Sequence, residues 1–338
     1  MCVLLVGCGA GDDVSEPPAE PVAEVFTALP EMDVPADNPV TAEKAELGKQ
    51  LFFDTRLSDS GEFSCETCHL PEMGWTDGLT LSTAANGNLN SRHSPTLYNV
   101  GYYTEWYWDG RMATLEAQIL AAWGGQVGAA DPDAVAARLG AIPGYREQFQ
   151  EAMDVEVVDA DAVVKALATF LRTLSAGDSP WDRFEFLGEE VSEDAQLGFD
   201  VFSLEDKANC SLCHTPPLYT DTLYHNIGVG FDQPEPDLGR GAFLMRQDPV
   251  PEDAESLQGA FKTPTLRNIT LTAPYFHDGS AATLEEAVDY VLSGGHANDW
   301  MDERLREREI SDEERGQLME FLRSLTSDTG GFERPSLP

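Results

Sequence analysis

At 338 residues the chain is long enough for two domains, and a hydrophobic content of 42% suits ordinary globular cores. Against 21 Lys and Arg stand 60 Asp and Glu, a formal net charge of −39. That argues against nucleic acid as a partner, because phosphates need cations, and it suits a solvated acidic surface able to steer a basic protein.

Met1–Cys8 reads as the end of a secretion signal, although the usual positively charged start is missing. Leu5-Val6-Gly7-Cys8 is similar to a bacterial lipobox, whose cysteine is acylated after cleavage. Residues 9–39 are acidic and Pro-rich, cannot bury enough apolar surface to fold, and read as a tether. Acyl chains on Cys8 would hold the protein on a membrane surface in the periplasm without spanning the bilayer. No apolar run is long enough for a transmembrane helix.

The first folded unit is placed at 40–190. Leu47, Leu51 and Phe52 fall on one face of a helix predicted over Ala42–Phe53. Cys65-Glu66-Thr67-Cys68-His69 follows, then Pro95-Thr96-Leu97-Tyr98-Asn99 and Trp108-Asp109-Gly110, and a helix over 161–174 closes the unit. The second unit, 191–327, repeats this order. Leu197-Gly198 answers Leu47-Gly48, Cys210-Ser211-Leu212-Cys213-His214 answers the first cysteine motif, and Pro264-Thr265-Leu266-Arg267-Asn268 answers Pro95 to Asn99. Asp278-Gly279 answers Asp109-Gly110, and Phe321-Leu322-Arg323-Ser324-Leu325 answers Phe170-Leu171-Arg172-Thr173-Leu174. A longer insert, from about Tyr224 to Phe261, sets the second unit apart. Ser311 and Glu314 predict a capping box at its last helix. Residues 328–338 form a tail. Strand signals are weak, so the expected fold is mainly α: two cytochrome c-like helical domains with long loops, each binding one haem c.

Cys-x-x-Cys-His is the attachment motif of haem c. Two thiols add to the porphyrin vinyl groups from one face, and the adjacent histidine turns a ring nitrogen to the iron. Zinc fits poorly, since each cluster offers only two thiols and a histidine. A disulfide between cysteines so close constrains little. Two such motifs at equivalent places in a duplicated chain point to two haem c groups, on Cys65, Cys68 and His69 and on Cys210, Cys213 and His214.

Further runs carry a resemblance. Leu51-Phe52-Phe53-Asp54-x-Arg56-Leu57-Ser58, Ser94-Pro95-Thr96-Leu97-Tyr98-Asn99, Trp108-Asp109-Gly110-Arg111, Phe261-Lys262-Thr263-Pro264-Thr265-Leu266-Arg267-Asn268 and Thr272-Ala273-Pro274-Tyr275-Phe276-His277-Asp278-Gly279 accompany the haem motifs. Together they resemble the bacterial di-haem cytochrome c peroxidase / MauG family, over about Val40 to Ser327. The resemblance implies a peroxide-reactive haem on His69, an electron-transfer haem on His214, and Trp108 as a relay between them. It implies a polar pocket residue at Gln118 and, where the family carries a proton-moving glutamate, Gln126. The sixth ligand of the second haem falls on Val291, which cannot bind iron; Tyr290, one residue earlier, is the candidate, with His296 and Met301 as others. A calcium ion is expected on the carbonyls of Thr272 and Pro274, with His93 in place of an asparagine; a loop histidine bonded to backbone is the alternative for His93. His225 and His277 are expected to be structural.

Three functions stay open. The first is a peroxidase that reduces hydrogen peroxide with electrons from a small cytochrome c or cupredoxin. The second is a maturase oxidising Trp or Tyr on a partner protein, and the third a non-catalytic electron carrier or sensor. A second copy of the chain is a further candidate partner, since many of the family dimerise.

Overall fold

Thr41 caps the first helix, α1 (Ala42–Phe53), by accepting the Lys44 N–H, and the predicted stripe of Leu47, Leu51 and Phe52 is buried. The computed structural model describes residues 26–338. The Met1–Cys8 signal and the tether up to residue 25 lie outside the described residues.

The first half continues through α2 (Leu115–Ala122), α3 (Pro132–Gly140), α4 (Pro143–Met153) and α5 (Ala160–Thr173). A connecting helix, α6 (Pro180–Leu187), leads to α7 (Glu193–Ser203), α8 (Gly239–Leu244), α9 (Leu284–Leu292) and α10 (Asp312–Ser324). The capping box expected at Ser311 and Glu314 is formed. Among the described residues the strands are minimal: β1 (Tyr224–His225) pairs antiparallel with β2 (Phe261–Lys262), at the two ends of the insert. No helix among the described residues is long and apolar enough to cross a membrane.

The repeated Leu-Gly pair has a packing reason. Helix α1 crosses α5 so closely that a Cβ on Gly48 would lie 2.0 Å from the Ala166 carbonyl oxygen. Helix α7 crosses α10 in the same way, with Gly198 against the Gln317 carbonyl at 2.0 Å. Only a residue without a side chain permits either approach.

Buried apolar side chains form two clusters, one around Phe52, Trp75 and Phe170, the other around Trp181, Phe202 and Phe321. Trp181, on the connection leaving the first half, packs on Phe321 and Phe199, both at 4.9 Å between ring centres. Phe332, on the tail leaving the second half, packs on Phe53 at 5.3 Å and Trp75 at 5.0 Å.

The seam between the halves is also paired. The His93 N–H donates to the His277 carbonyl at 2.7 Å, and the Lys262 N–H donates to the Trp108 carbonyl at 2.8 Å. Each donor precedes its half's Ser/Thr-Pro step, and each acceptor precedes its Asp-Gly step. Arg92 bridges Asp109 and Asp237 across the seam. The guanidinium of Arg267 grips Asp182 of α6 through two bonds of 2.7 and 2.9 Å, with both side chains almost fully buried.

Candidate active site

Each cysteine motif folds as a single tight turn, Cys65–Thr67 and Cys210–Leu212. In the first, Ser64 and Thr67 cap one another. Burial pushes the Cys65 and Cys210 thiols up to about 12, so both are neutral sulfurs packed against the apolar cluster of their own half.

His69 sets Nδ1 2.8 Å from the Trp75 carbonyl oxygen, and His214 sets Nδ1 3.1 Å from that of Tyr219. A carbonyl can only accept, so Nδ1 carries the proton in both rings and Nε2 is left as the ligand atom. Burial lowers both histidines below their usual range, which keeps the rings neutral. Sequence reasoning missed Trp75 and Tyr219, because a backbone acceptor has no side-chain signature.

A cavity of roughly 550 Å³ opens beside the first motif, with Cys65, Cys68 and His69 on its wall. Trp108, Gln118 and Gln126 line the same cavity, so the residues that sequence reasoning grouped there do come together. Gln126 lies on a wide turn, Trp123–Val127, that overruns the end of α2. Its backbone carbonyl accepts the Ala85 N–H at 2.9 Å, while its side-chain Oε1 is buried without a hydrogen-bond partner. An orphaned acceptor in a cavity whose wall also carries Cys65, Cys68 and His69 is what a site built for haem and a small polar ligand requires. The residues present fit the group.

Trp108 is fixed at the seam. Its indole N–H donates to the His93 carbonyl at 2.9 Å and its own carbonyl is held by Lys262. The Lys262 ammonium reaches the Glu105 carbonyl and lies 4.3 Å from the Tyr103 ring; burial lowers it to about 7. This buried cation on the cavity wall also escaped sequence reasoning.

The remaining candidates have other partners. Tyr290 donates its hydroxyl to the Ile227 carbonyl at 3.1 Å and accepts the His296 N–H at 3.2 Å. Burial raises the phenol to about 12. Iron ligation would require breaking the bond to Ile227. Met301 contacts the Asn298 amide through its sulfur. Thr272, Pro274 and His93 all line the cavity, but the His93 Nδ1–H is given to the Leu79 carbonyl at 2.8 Å. Calcium prefers oxygen ligands, so His93 fits it poorly and the carbonyls of Thr272 and Pro274 are the only expected oxygen donors here. His277 stacks on Phe261 at 3.6 Å, and burial lowers it to about 4. His225 sits between Asp221 at 2.8 Å and Asp302 at 2.7 Å. Cys213, Asp221 and His225 are close enough together to hold a metal ion, but Cys213 belongs to the haem motif.

A family model described as di-haem cytochrome c peroxidase matches residues 42–191. The methylamine utilization protein MauG of Methylophilus methylotrophus is 37% identical, over 94% of this chain and 92% of its own length. The chain belongs to the di-haem cytochrome c peroxidase family. The cytochrome c551 peroxidase of Nitrosomonas europaea, a further relative, is 34% identical over 91% of this chain and 87% of its own. Among solved structures, a MauG-like protein associated with microbial copper homeostasis is 29% identical. It aligns with a TM-score of 0.80 over 90% of this chain and 95% of that one. The family membership makes this chain an oxidoreductase of the cytochrome-c peroxidase type with a mainly helical, cytochrome c-like fold, and implies two c-type haems.

Proposed function

We propose that this chain reduces hydrogen peroxide, with Cys65, Cys68 and His69 holding one haem c and Cys210, Cys213 and His214 the other. Bound haem supplies the iron that cleaves the O–O bond and holds oxidising equivalents. The observation that carries the reading is the repeated device at both motifs: Nδ1 turned to a backbone carbonyl, with Nε2 left over.

The chain's own residues do the rest. Gln126 offers an unpartnered amide oxygen to a peroxide O–H, and Gln118 lines the same cavity. Neither amide can take the proton, so on this reading water carries it. Trp108, whose indole N–H is bonded to His93 of the first half and whose backbone carbonyl is bonded to Lys262 of the second, is held at the seam in a way that supports a relay role. A small periplasmic cytochrome c or cupredoxin is the proposed electron source, steered by the net charge of −39. An anchor on Cys8 would keep the enzyme on a membrane surface, and a homodimer and a calcium ion on Thr272 and Pro274 belong to the same proposal.

A second reading is favoured by one site. Val291 has no ligand atom and the Met301 sulfur is in contact with the Asn298 amide, so a sulfur-ligated second haem is not provided for. On that reading the electron source is a Trp or Tyr side chain of a partner protein, as befits a MauG-like enzyme. The test is a stopped-flow absorbance trace of the fully oxidised, haem-loaded protein mixed with hydrogen peroxide. A fast spectral change is expected. Silence in both the oxidised and the half-reduced protein would leave only an electron carrier.

A further inference from the structure

Trp75 and Tyr219, whose carbonyls hold the two motif histidines, share an unusual backbone. Their φ angles are 63° and 52°, in the left-handed region that bulky residues avoid. Such a conformation persists only where the surroundings enforce it. Tyr219 is enforced by its own half: Phe202 and Phe321 each stand 6.0 Å away, and the Arg267 guanidinium 5.4 Å. Trp75 takes Phe52 at 5.7 Å and Phe170 at 6.0 Å from its own half. Phe53 adds a contact at 6.5 Å, and the nearest ring of all comes from the C-terminal tail: Phe332, edge-on at 5.0 Å and 81°.

Two residues further on, Arg334 pairs with Glu66, which lies between the haem-binding cysteines, and with Glu72 at 3.0 Å. The chain ends with a Pro338 oxygen accepting both terminal nitrogens of Arg56 at 3.1 Å. The duplication shows that this crossing is built into the fold. Phe332 lies seven residues beyond Leu325, and Trp181 lies seven beyond the equivalent Leu174. Each therefore leaves one half's last helix and lands on the other half's core.

We infer that tail residues 328–338 complete the first haem site: Phe332 and Arg334 are positioning residues that hold the Trp75 carbonyl and the Cys65–Cys68 turn, and so the orientation and hydrogen bond of His69. The inference rests on His69 carrying the first haem. A strong bond to Nδ1–H makes an imidazole a more electron-rich ligand and favours the oxidised iron. Slackening it raises the potential of that haem alone.

The experiment uses haem-loaded full-length protein and variants with Phe332→Ala, Phe332→Trp, Arg334→Gln, or the chain stopped after Ser327. Haem content per chain is measured first. One haem per unaltered chain would sink the reading of His69; two would let the tail be tested by itself. Spectroelectrochemical titration and the ferrous iron–histidine Raman stretch then report on each haem. Phe332→Ala and the shortened chain are expected to raise one midpoint and lower the same haem's stretch, leaving the other haem unchanged. Phe332→Trp, which copies Trp181, is expected to restore both. Unchanged midpoints and stretches in a shortened chain that keeps both haems would overturn the inference. Should shortening cost the fold, Arg334→Gln decides: it removes an exposed side chain, and a one-sided shift supports the tail's role while no shift overturns it.

Discussion

On the proposed function, Gln126 stands where peroxide cleavage calls for a proton acceptor, and an amide cannot serve. Replacing it with a carboxylate, Gln126→Glu, is expected to speed the peroxide-dependent spectral change at least about tenfold, below the hundredfold or more that well-placed general bases contribute. The same stopped-flow trace checks it; an equal or slower change would mean that water already does the work. Tyr290 gives a prediction of the opposite kind. Its hydroxyl serves the Ile227 and His296 backbone. Tyr290→Phe should therefore leave the haem absorption spectrum unaltered and cost only about 1 kcal/mol of stability for the lost bonds. A changed spectrum would make it a ligand after all.

At the scale of elements, the repeated Leu-Gly pairs read in the sequence only as a mark of duplication; that each glycine sits at a close helix crossing emerges from the structure. Gly198→Ala tests the crossing of α7 and α10. Alanine gains about 1 kcal/mol of helix propensity. Overpacking costs about 1–3 kcal/mol or more, and here the obstacle at 2.0 Å is the Gln317 backbone, which cannot swing aside. A lower urea midpoint is expected, with Gly48→Ala behaving alike. The haem motifs were legible because covalent attachment fixes both residue types and spacing within five positions. Their supports were not. Any residue can offer the carbonyl that Trp75 and Tyr219 supply, and Phe332 lies too far along the chain from Trp75 for local pattern to join them. The other candidates fared between: Gln118 and Gln126 line the cavity, His93 is the loop histidine bonded to backbone that its alternative reading described, and the Tyr290 hydroxyl is engaged with backbone.

For the whole molecule, Arg267 and Asp182 tie the connecting helix to the second half. Burial alone would raise the Asp182 carboxyl, but the Arg267 guanidinium more than offsets it and holds the group below the usual carboxylate value of 3.8. A depressed carboxylate contributes stability above its unfolded pKa and loses it as pH falls through the folded one. The native protein should therefore weaken below about pH 4. Arg267→Met leaves a buried charge without a partner and should cost about 3–5 kcal/mol at neutral pH. In that variant burial raises Asp182 instead, so the gap from the unaltered protein should narrow as the medium is acidified. Denaturant melts at pH 7 and below pH 4 distinguish the two, and a gap independent of pH would mean that packing rather than charge is lost.

The crossed ends carry a consequence for how the protein is made. A chain delivered N-terminus first presents the whole of the first half before its last wall exists. Trp75 must wait for residue 332, more than 250 positions downstream, whereas the second half meets its Trp181 before its own sequence has begun. The half that is translated first is thus the half that is finished last, and the stretch of time in between is when its aromatic face stands open to water and to neighbouring chains.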